Sequence, residues 1–97
     1  MALKKEYREQ LMAIIRTHVP DGVIYLFGSR ARDTQQSGSD IDIAIDAGAP
    51  IAREKILAIL IAIDETIIPL KVDVIDLATA SDDLKKSILR EGVRWSD

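Results

Sequence analysis

The chain has 97 residues, 47% of them hydrophobic and 30% charged, which suits one domain over residues 1–97 and leaves no room for a second. Its net charge of −3 argues against a surface that binds nucleic acid, which is normally basic. The sequence has no cysteine, no apolar signal-peptide core and no apolar run longer than 56–63, so we expect a cytoplasmic protein without disulfides or a membrane span.

The first predicted element is an amphipathic helix, because apolar residues recur at helical spacing from Leu3 to Ile15. It should end near His18, since Pro20 disfavours helical backbone at the residue before it. A histidine at the end of a helix is typical of a cap that interacts with the helix dipole. The alternative for this histidine is a catalytic base.

Residues 23–27 are apolar throughout, which predicts a strand covered on both faces. Gly28 and Ser29 follow directly, and we expect a short helix from Ser29 to about Arg32. A glycine here lets backbone N–H groups approach a phosphate, Ser29 adds a hydroxyl donor, and Arg30 or Arg32 adds positive charge. Gly-Ser after a strand is also common in ordinary turns, so this part of the pattern has a purely structural alternative.

The second predicted strand, over 40–46, carries Asp40 and Asp42 at alternate positions. Both carboxylates lie on one face, because side chains along a strand alternate between its faces. Aspartate is rare in strands, and two such neighbours repel each other unless a cation lies between them. Mg²⁺ prefers carboxylate and phosphate oxygens, so the pair predicts a magnesium site. The alternative is the solvated outer face of an antiparallel strand.

A helix is predicted from about residue 51 to about residue 67, before Pro69. Its middle, residues 56–63, is apolar on every side, which is typical of a helix buried on more than one face. A helix at the periphery of a small domain has little cover, so we expect part of this surface to contact another chain. Otherwise it is simply the innermost helix of the domain.

A third strand is predicted over 71–77. Asp73 and Asp76 are an odd number of residues apart, so they point to opposite faces and only one can join Asp40 and Asp42. Asp76 is better suited to ending the strand.

The last predicted elements are a helix and a short strand. Ser81, followed by two acids, is a helix N-terminal signal, and Gly92 suits the end of that helix. Residues 93–95 form the expected strand, in which Trp95 packs in the core in preference to stacking on adenine. The alternation of helices and strands predicts an α/β fold with helices packed against a sheet.

Two motifs together resemble the nucleotidyltransferase superfamily that includes DNA polymerase beta: Gly28-Ser29 and, ten residues later, Asp40-Ile41-Asp42. The variant Gly-Ser-Arg-Ala-Arg at 28–32 is similar to the minimal nucleotidyltransferases of prokaryotes, and the resemblance extends from about residue 10 to about residue 93. It implies the polymerase-beta-like fold, with a mixed sheet instead of an all-parallel one. It also implies a third carboxylate in a pattern of hydrophobic, Asp, hydrophobic, which Asp73 matches.

The resemblance implies a catalytic and metal-binding set of Asp40, Asp42 and Asp73, which would hold two Mg²⁺ ions. ATP is the implied substrate, and AMP passes to an acceptor while pyrophosphate leaves.

Four further residues are implied to bind the nucleotide phosphates: Gly28, Ser29, Arg30 and Arg32. Gly28 and Ser29 would bind the outer phosphates, and one of the two arginines would offset the charge that develops there.

The implied acceptor is a protein. Minimal nucleotidyltransferases are often encoded beside an all-helical HEPN protein, and the pair acts as toxin and antitoxin. The resemblance implies that this chain is the antitoxin and adds AMP to the toxin.

One alternative is a binding module that neutralises its partner only by covering it. The intact carboxylates count against this alternative, because covering a partner needs no metal site. The other is a nucleotidyltransferase for a small molecule or RNA, and the acidic balance disfavours RNA. A homo-oligomer is the lesser expectation for the exposed helix surface.

Overall fold

The computed structural model describes residues 3–32 and 38–95. The elements of these residues, in chain order, are α1 (Lys5–His18), β1 (Val23–Phe27), β2 (Ile41–Asp46), α2 (Arg53–Asp64), β3 (Val72–Asp76), a 3-10 helix (Leu77–Thr79), α3 (Asp82–Glu91) and β4 (Val93–Trp95). None of the helices in this described part is long and apolar enough to span a membrane.

The four strands form one mixed sheet in the order β3-β2-β1-β4. β2 and β3 are parallel, whereas β1 is antiparallel to both β2 and β4. This confirms the mixed sheet that the resemblance implied. One consequence is that the end of β1 lies beside the beginning of β2, and β3 begins at the same edge, so residues that are distant in the sequence meet there.

The two faces of the sheet have different cover. On one face, Ile41, Ile43 and Ile45 are fully buried in a core built with α1 and α2, which also contains Leu11 and Ile59. On the other face, a smaller cluster joins β2 to α3 and the 3-10 helix, and its buried members are Ala44, Leu77 and Ile88. Strand β1 contributes to both clusters, so the prediction that it is covered on both faces is confirmed.

The end of α1 and the start of α3 are as the sequence predicts. α1 ends at His18, whose Nδ1 lies 3.0 Å from the carbonyl oxygen of Ile14, as expected for a group at a helix terminus. At the start of α3 the Ser81 hydroxyl accepts the N–H of Leu84 at 3.2 Å, which is the predicted cap. Trp95 is 3% exposed and belongs to the core, which confirms its packing role.

The helix predicted from Ser29 to about Arg32 does not form, and α2 is shorter than predicted. Residues 28–32 form hydrogen-bonded turns, in which the Arg32 N–H donates to the Gly28 carbonyl at 3.2 Å. So short a segment has too few internal hydrogen bonds to form a regular helix. α2 spans Arg53–Asp64 and not 51–67, and it buries only part of its apolar surface. Ile59 and Ile63 are in the core, whereas Leu57 and Ile61 are 50% and 62% exposed.

Candidate active site

The strand register brings two of the predicted acids together. Asp42 is directly opposite Phe27 on β1 and Asp73 on β3. Residues that are opposite each other in neighbouring strands point to the same face of a sheet. Asp42 and Asp73 are therefore neighbours on the face that also carries α3.

Asp76 lies on the opposite face, because its partner in β2 is the buried Ile45. Its carboxylate has a structural role: Oδ2 accepts the N–H of Ile51 at 2.8 Å, and Oδ1 accepts the N–H of Ala78 at 3.1 Å. These bonds tie the segment before α2 to the end of β3. The predicted separation of Asp73 from Asp76 is confirmed, as is the position of Asp76 at the end of its strand.

Asp40 is exposed and lies one residue before β2. Hydrogen bonds on both sides hold the backbone there. The Ile41 N–H donates to the Lys71 carbonyl at 2.8 Å, and the Arg30 guanidinium donates to the Ser39 carbonyl through Nε at 3.2 Å and Nη2 at 2.8 Å. Asp40 therefore stands at the same edge of the sheet as the pair on β2 and β3.

Gly28 is required by the close approach of β1 to Asp42. Its φ of +76° is a conformation that residues with a Cβ rarely adopt. A Cβ at this position would also collide with the Asp42 carboxylate. The glycine of the predicted phosphate-binding motif thus lies close to Asp42, the first acid of β2, which brings both halves of the sequence motif to one place.

The negative charges at this edge repel one another. The pKa of Asp42 is raised above its ordinary value of 3.8, first by burial and then by the negative charges of Asp73 and Asp40. Lys71 acts in the opposite direction. Its Nζ is 3.9 Å from Asp73 Oδ1, and both side chains are well exposed, so this ion pair compensates little of the repulsion.

A divalent cation suits this arrangement, because it would relieve the repulsion that raises the Asp42 pKa. Among residues 3–32 and 38–95, no three acidic or histidine side chains are already grouped as a metal site. Asp40 is exposed and the Asp73 side chain is 47% exposed, so both can rotate toward an ion held at Asp42. The residue types and their common edge therefore fit the metal that the resemblance implies.

The arginines of the motif differ in environment. Arg30 is only 8% exposed, whereas Arg32 is on the surface. The sequence motif does not distinguish the two arginines, and it does not include Lys71. The signal for Lys71 was its position two residues before Asp73, which places both side chains on the same face of the extended chain.

Comparison with known proteins agrees with this geometry. The family described as polymerase beta, nucleotidyltransferase matches residues 9–95. The chain therefore belongs to the polymerase beta nucleotidyltransferase family.

Three relatives illustrate the likeness. The chain is 33% identical over 89 residues to the probable protein adenylyltransferase MntA of Haemophilus influenzae, which corresponds to 89% of this chain and 75% of that protein. A crystal structure of a toxin–antitoxin with AMP-PNP has a TM-score of 0.78 at 28% identity, over 93% of this chain and 73% of that one. A tri-AMPylated HEPN toxin in complex with an MNT antitoxin, from Shewanella oneidensis, has a TM-score of 0.75 over 98% of this chain and 74% of that one. At 24% identity, that last likeness shows the fold alone.

The raised pKa of Asp42 leads to a prediction about stability. Asp42→Asn should stabilise the metal-free chain at about pH 7, because it removes a charge that burial and two neighbouring acids oppose. In the wild type the folded state holds this proton more tightly than the unfolded state, so stability falls as the pH rises from 3.8 through the raised pKa. The stability gained by Asp42→Asn should therefore be complete above this pH range and absent below it.

Urea unfolding in the presence of a chelator, at about pH 3 and about pH 7, measures this difference. A variant that is less stable than the wild type at the higher pH would contradict the electrostatic account of the site.

Proposed function

We propose that the chain is a Mg²⁺-dependent enzyme that transfers AMP from ATP to a protein, and that it is the antitoxin partner of a HEPN toxin. The observation that carries this proposal is the alignment of Asp42 with Asp73 across β2 and β3, next to the Gly28 turn. The family is one of nucleotidyltransferases, and the relatives include a protein adenylyltransferase and a toxin–antitoxin bound to AMP-PNP. Use of ATP is consistent with the expected cytoplasmic location.

The three acids would hold the metal. Asp42 and Asp73 present carboxylates on one face of the sheet, and Asp40 adds a third from the start of β2. When bound, Mg²⁺ neutralises the triphosphate and lowers the pKa of an acceptor hydroxyl. The acceptor oxygen then forms a bond to the α-phosphorus, the bond to pyrophosphate breaks, and the hydroxyl proton passes to solvent.

The turn after β1 would bind the outer phosphates. Gly28 brings the backbone close to Asp42 without a side chain in the way, and Ser29 follows with a hydroxyl and an N–H. Arg32 is exposed and can supply charge to a phosphate. Arg30 is less suited to this role, because its guanidinium is buried and donates to the Ser39 carbonyl.

The acceptor protein would dock beside α2. Leu57 and Ile61 are exposed apolar residues on the outer side of this helix. They line a surface groove that continues through Ile68 and Leu70 to Lys71, two residues before Asp73. An apolar surface of this kind favours a protein contact. The groove ends at Lys71, whose Nζ is 3.9 Å from Asp73 Oδ1, so a partner that docks there and extends around the edge of the sheet would reach the acids. We propose a HEPN-like helical protein as the occupant, and a second copy of this chain as the lesser alternative.

The two acids of β3 separate catalysis from folding. Asp73→Asn should lower the transfer rate at least about a hundredfold, because a metal ligand contributes several kcal/mol and each 1.36 kcal/mol is a factor of about ten. Asp76→Asn should keep the rate but lose about 1–3 kcal/mol of stability, because it weakens the hydrogen bonds from Ile51 and Ala78.

The assay uses labelled ATP and Mg²⁺, with and without the protein encoded by the neighbouring open reading frame, and urea unfolding gives the stability. An inactive Asp76→Asn beside an active Asp73→Asn would mean that the assigned roles are reversed. Wild-type chain that labels no protein would count against the proposed function itself.

The partner surface can be tested with two matched substitutions on the molecular surface. Ile61→Glu should weaken binding to the HEPN-like neighbour at least about tenfold, since it places a charge in an apolar contact. Leu89→Glu is the control, because Leu89 is 59% exposed on α3, on the other side of the sheet from α2. Gel filtration with light scattering measures the association. If Leu89→Glu weakened binding and Ile61→Glu did not, the interface would lie on α3 and not on α2.

A further inference from the structure

Arg30 differs from every other charged residue in the described ranges. Among residues 3–32 and 38–95 it is the one charged or polar side chain that is buried, with 8% of its surface exposed. Burying a guanidinium is costly unless its donors are engaged. Two of them, Nε and Nη2, donate to the same acceptor, the Ser39 carbonyl oxygen, at 3.2 Å and 2.8 Å. The side chain thus reaches nine residues along the sequence.

The accepting carbonyl belongs to the peptide unit that leads into Asp40. Because a peptide unit is planar, holding the Ser39 oxygen also fixes the orientation of the Asp40 nitrogen. On the other side, the Ile41 N–H donates to the Lys71 carbonyl at 2.8 Å. Asp40 therefore lies between two hydrogen-bonded peptide units, although its own side chain is exposed and it precedes the strand.

We infer that Arg30 is a positioning residue: it fixes the Ser39–Asp40 peptide, and thereby keeps the Asp40 carboxylate beside Asp42 and Asp73 for the metal. This inference rests on the proposed function, because the role of Asp40 as a metal ligand is part of that proposal. It assigns the two arginines of the Gly-Ser-Arg-Ala-Arg motif to different tasks. Arg32 binds phosphate, whereas Arg30 supports the metal site by holding the backbone next to Asp40.

The choice of arginine has a physical reason. Its planar guanidinium presents several N–H groups in a fixed arrangement, so two of them can meet one carbonyl oxygen. A lysine keeps the charge but offers a single nitrogen on a flexible stem. Arg30→Lys therefore removes the two-donor contact without changing the net charge. If Arg30 served only as a positive charge for phosphate, lysine would largely replace it.

The test measures Mn²⁺ binding to the full chain by electron paramagnetic resonance and backbone hydrogen exchange by nuclear magnetic resonance. Arg30→Lys should weaken Mn²⁺ binding at least about tenfold, as is typical when support for a metal ligand is lost. It should also speed exchange of the Ile41 N–H, which lies next to the released peptide. Arg32→Lys should change neither quantity. Arg53→Lys, an exposed position on α2, is the control.

Several results would overturn the inference. One is Arg30→Lys with the Mn²⁺ affinity and Ile41 exchange of the wild type. Another is equal acceleration at Ile43, in the middle of β2, because it would indicate general destabilisation and not a local effect. If the wild-type chain itself bound no Mn²⁺, the metal role in the proposed function would fail, while the exchange at Ile41 would still decide whether Arg30 holds the Ser39–Asp40 peptide.

Discussion

Repulsion between carboxylates at one edge of the sheet is the constraint on which the rest of the structure depends. Asp42 faces Asp73 across β2 and β3, and Asp40 adds a third negative charge. The core holds them there. Ile41, Ile43 and Ile45 alternate with the acids along the chain and are fully buried on the opposite face. A slip of one residue would bury acids and expose isoleucines, so the hydrophobic core fixes the register of β2 against the repulsion.

The topology of the sheet explains why residues so far apart in sequence share one site. β1 runs antiparallel to β2, and β3 runs parallel to it. The turn at Gly28 therefore lies next to Asp42, which in turn lies next to Asp73, so the three residues share one edge of the sheet. The helices follow from the same arrangement: α1 and α2 cover the apolar face, and α3 covers part of the acidic one. Part of α2 then remains exposed, and the groove beside it extends to Lys71 and Val72 at the start of β3.

Much of this could be predicted from local pattern. The run 23–27 is a strand with the predicted bounds, and the odd spacing of Asp73 and Asp76 placed them on opposite faces. Periodicity could not determine strand direction, because parallel and antiparallel strands alternate in the same way; the family resemblance supplied it. It also could not determine which side of α2 is buried, because apolar residues occur all around that helix.

The roles of Arg30 and Gly28 depend on contacts that sequence spacing does not reveal. The Arg30 contact joins two residues that are nine positions apart, Arg30 and Ser39, and nothing in the order of residues distinguishes this arginine from Arg32. The sequence motif predicts that the Gly28 backbone approaches a phosphate, yet a Cβ at this position would collide with the Asp42 carboxylate. The glycine therefore contributes to the position of the acid as well as to the proposed phosphate site.

The most direct measurement compares labelled AMP transfer by Gly28→Ala and Gly48→Ala. Both glycines have a positive φ, +76° and +80°, so both substitutions carry a similar backbone cost of about 1 kcal/mol. Only an alanine at position 28 would displace Asp42, since nothing lies within 4 Å of a Cβ at Gly48. We predict at least about a tenfold loss of transfer for Gly28→Ala and the wild-type rate for Gly48→Ala. Equal rates for the two variants would contradict the account.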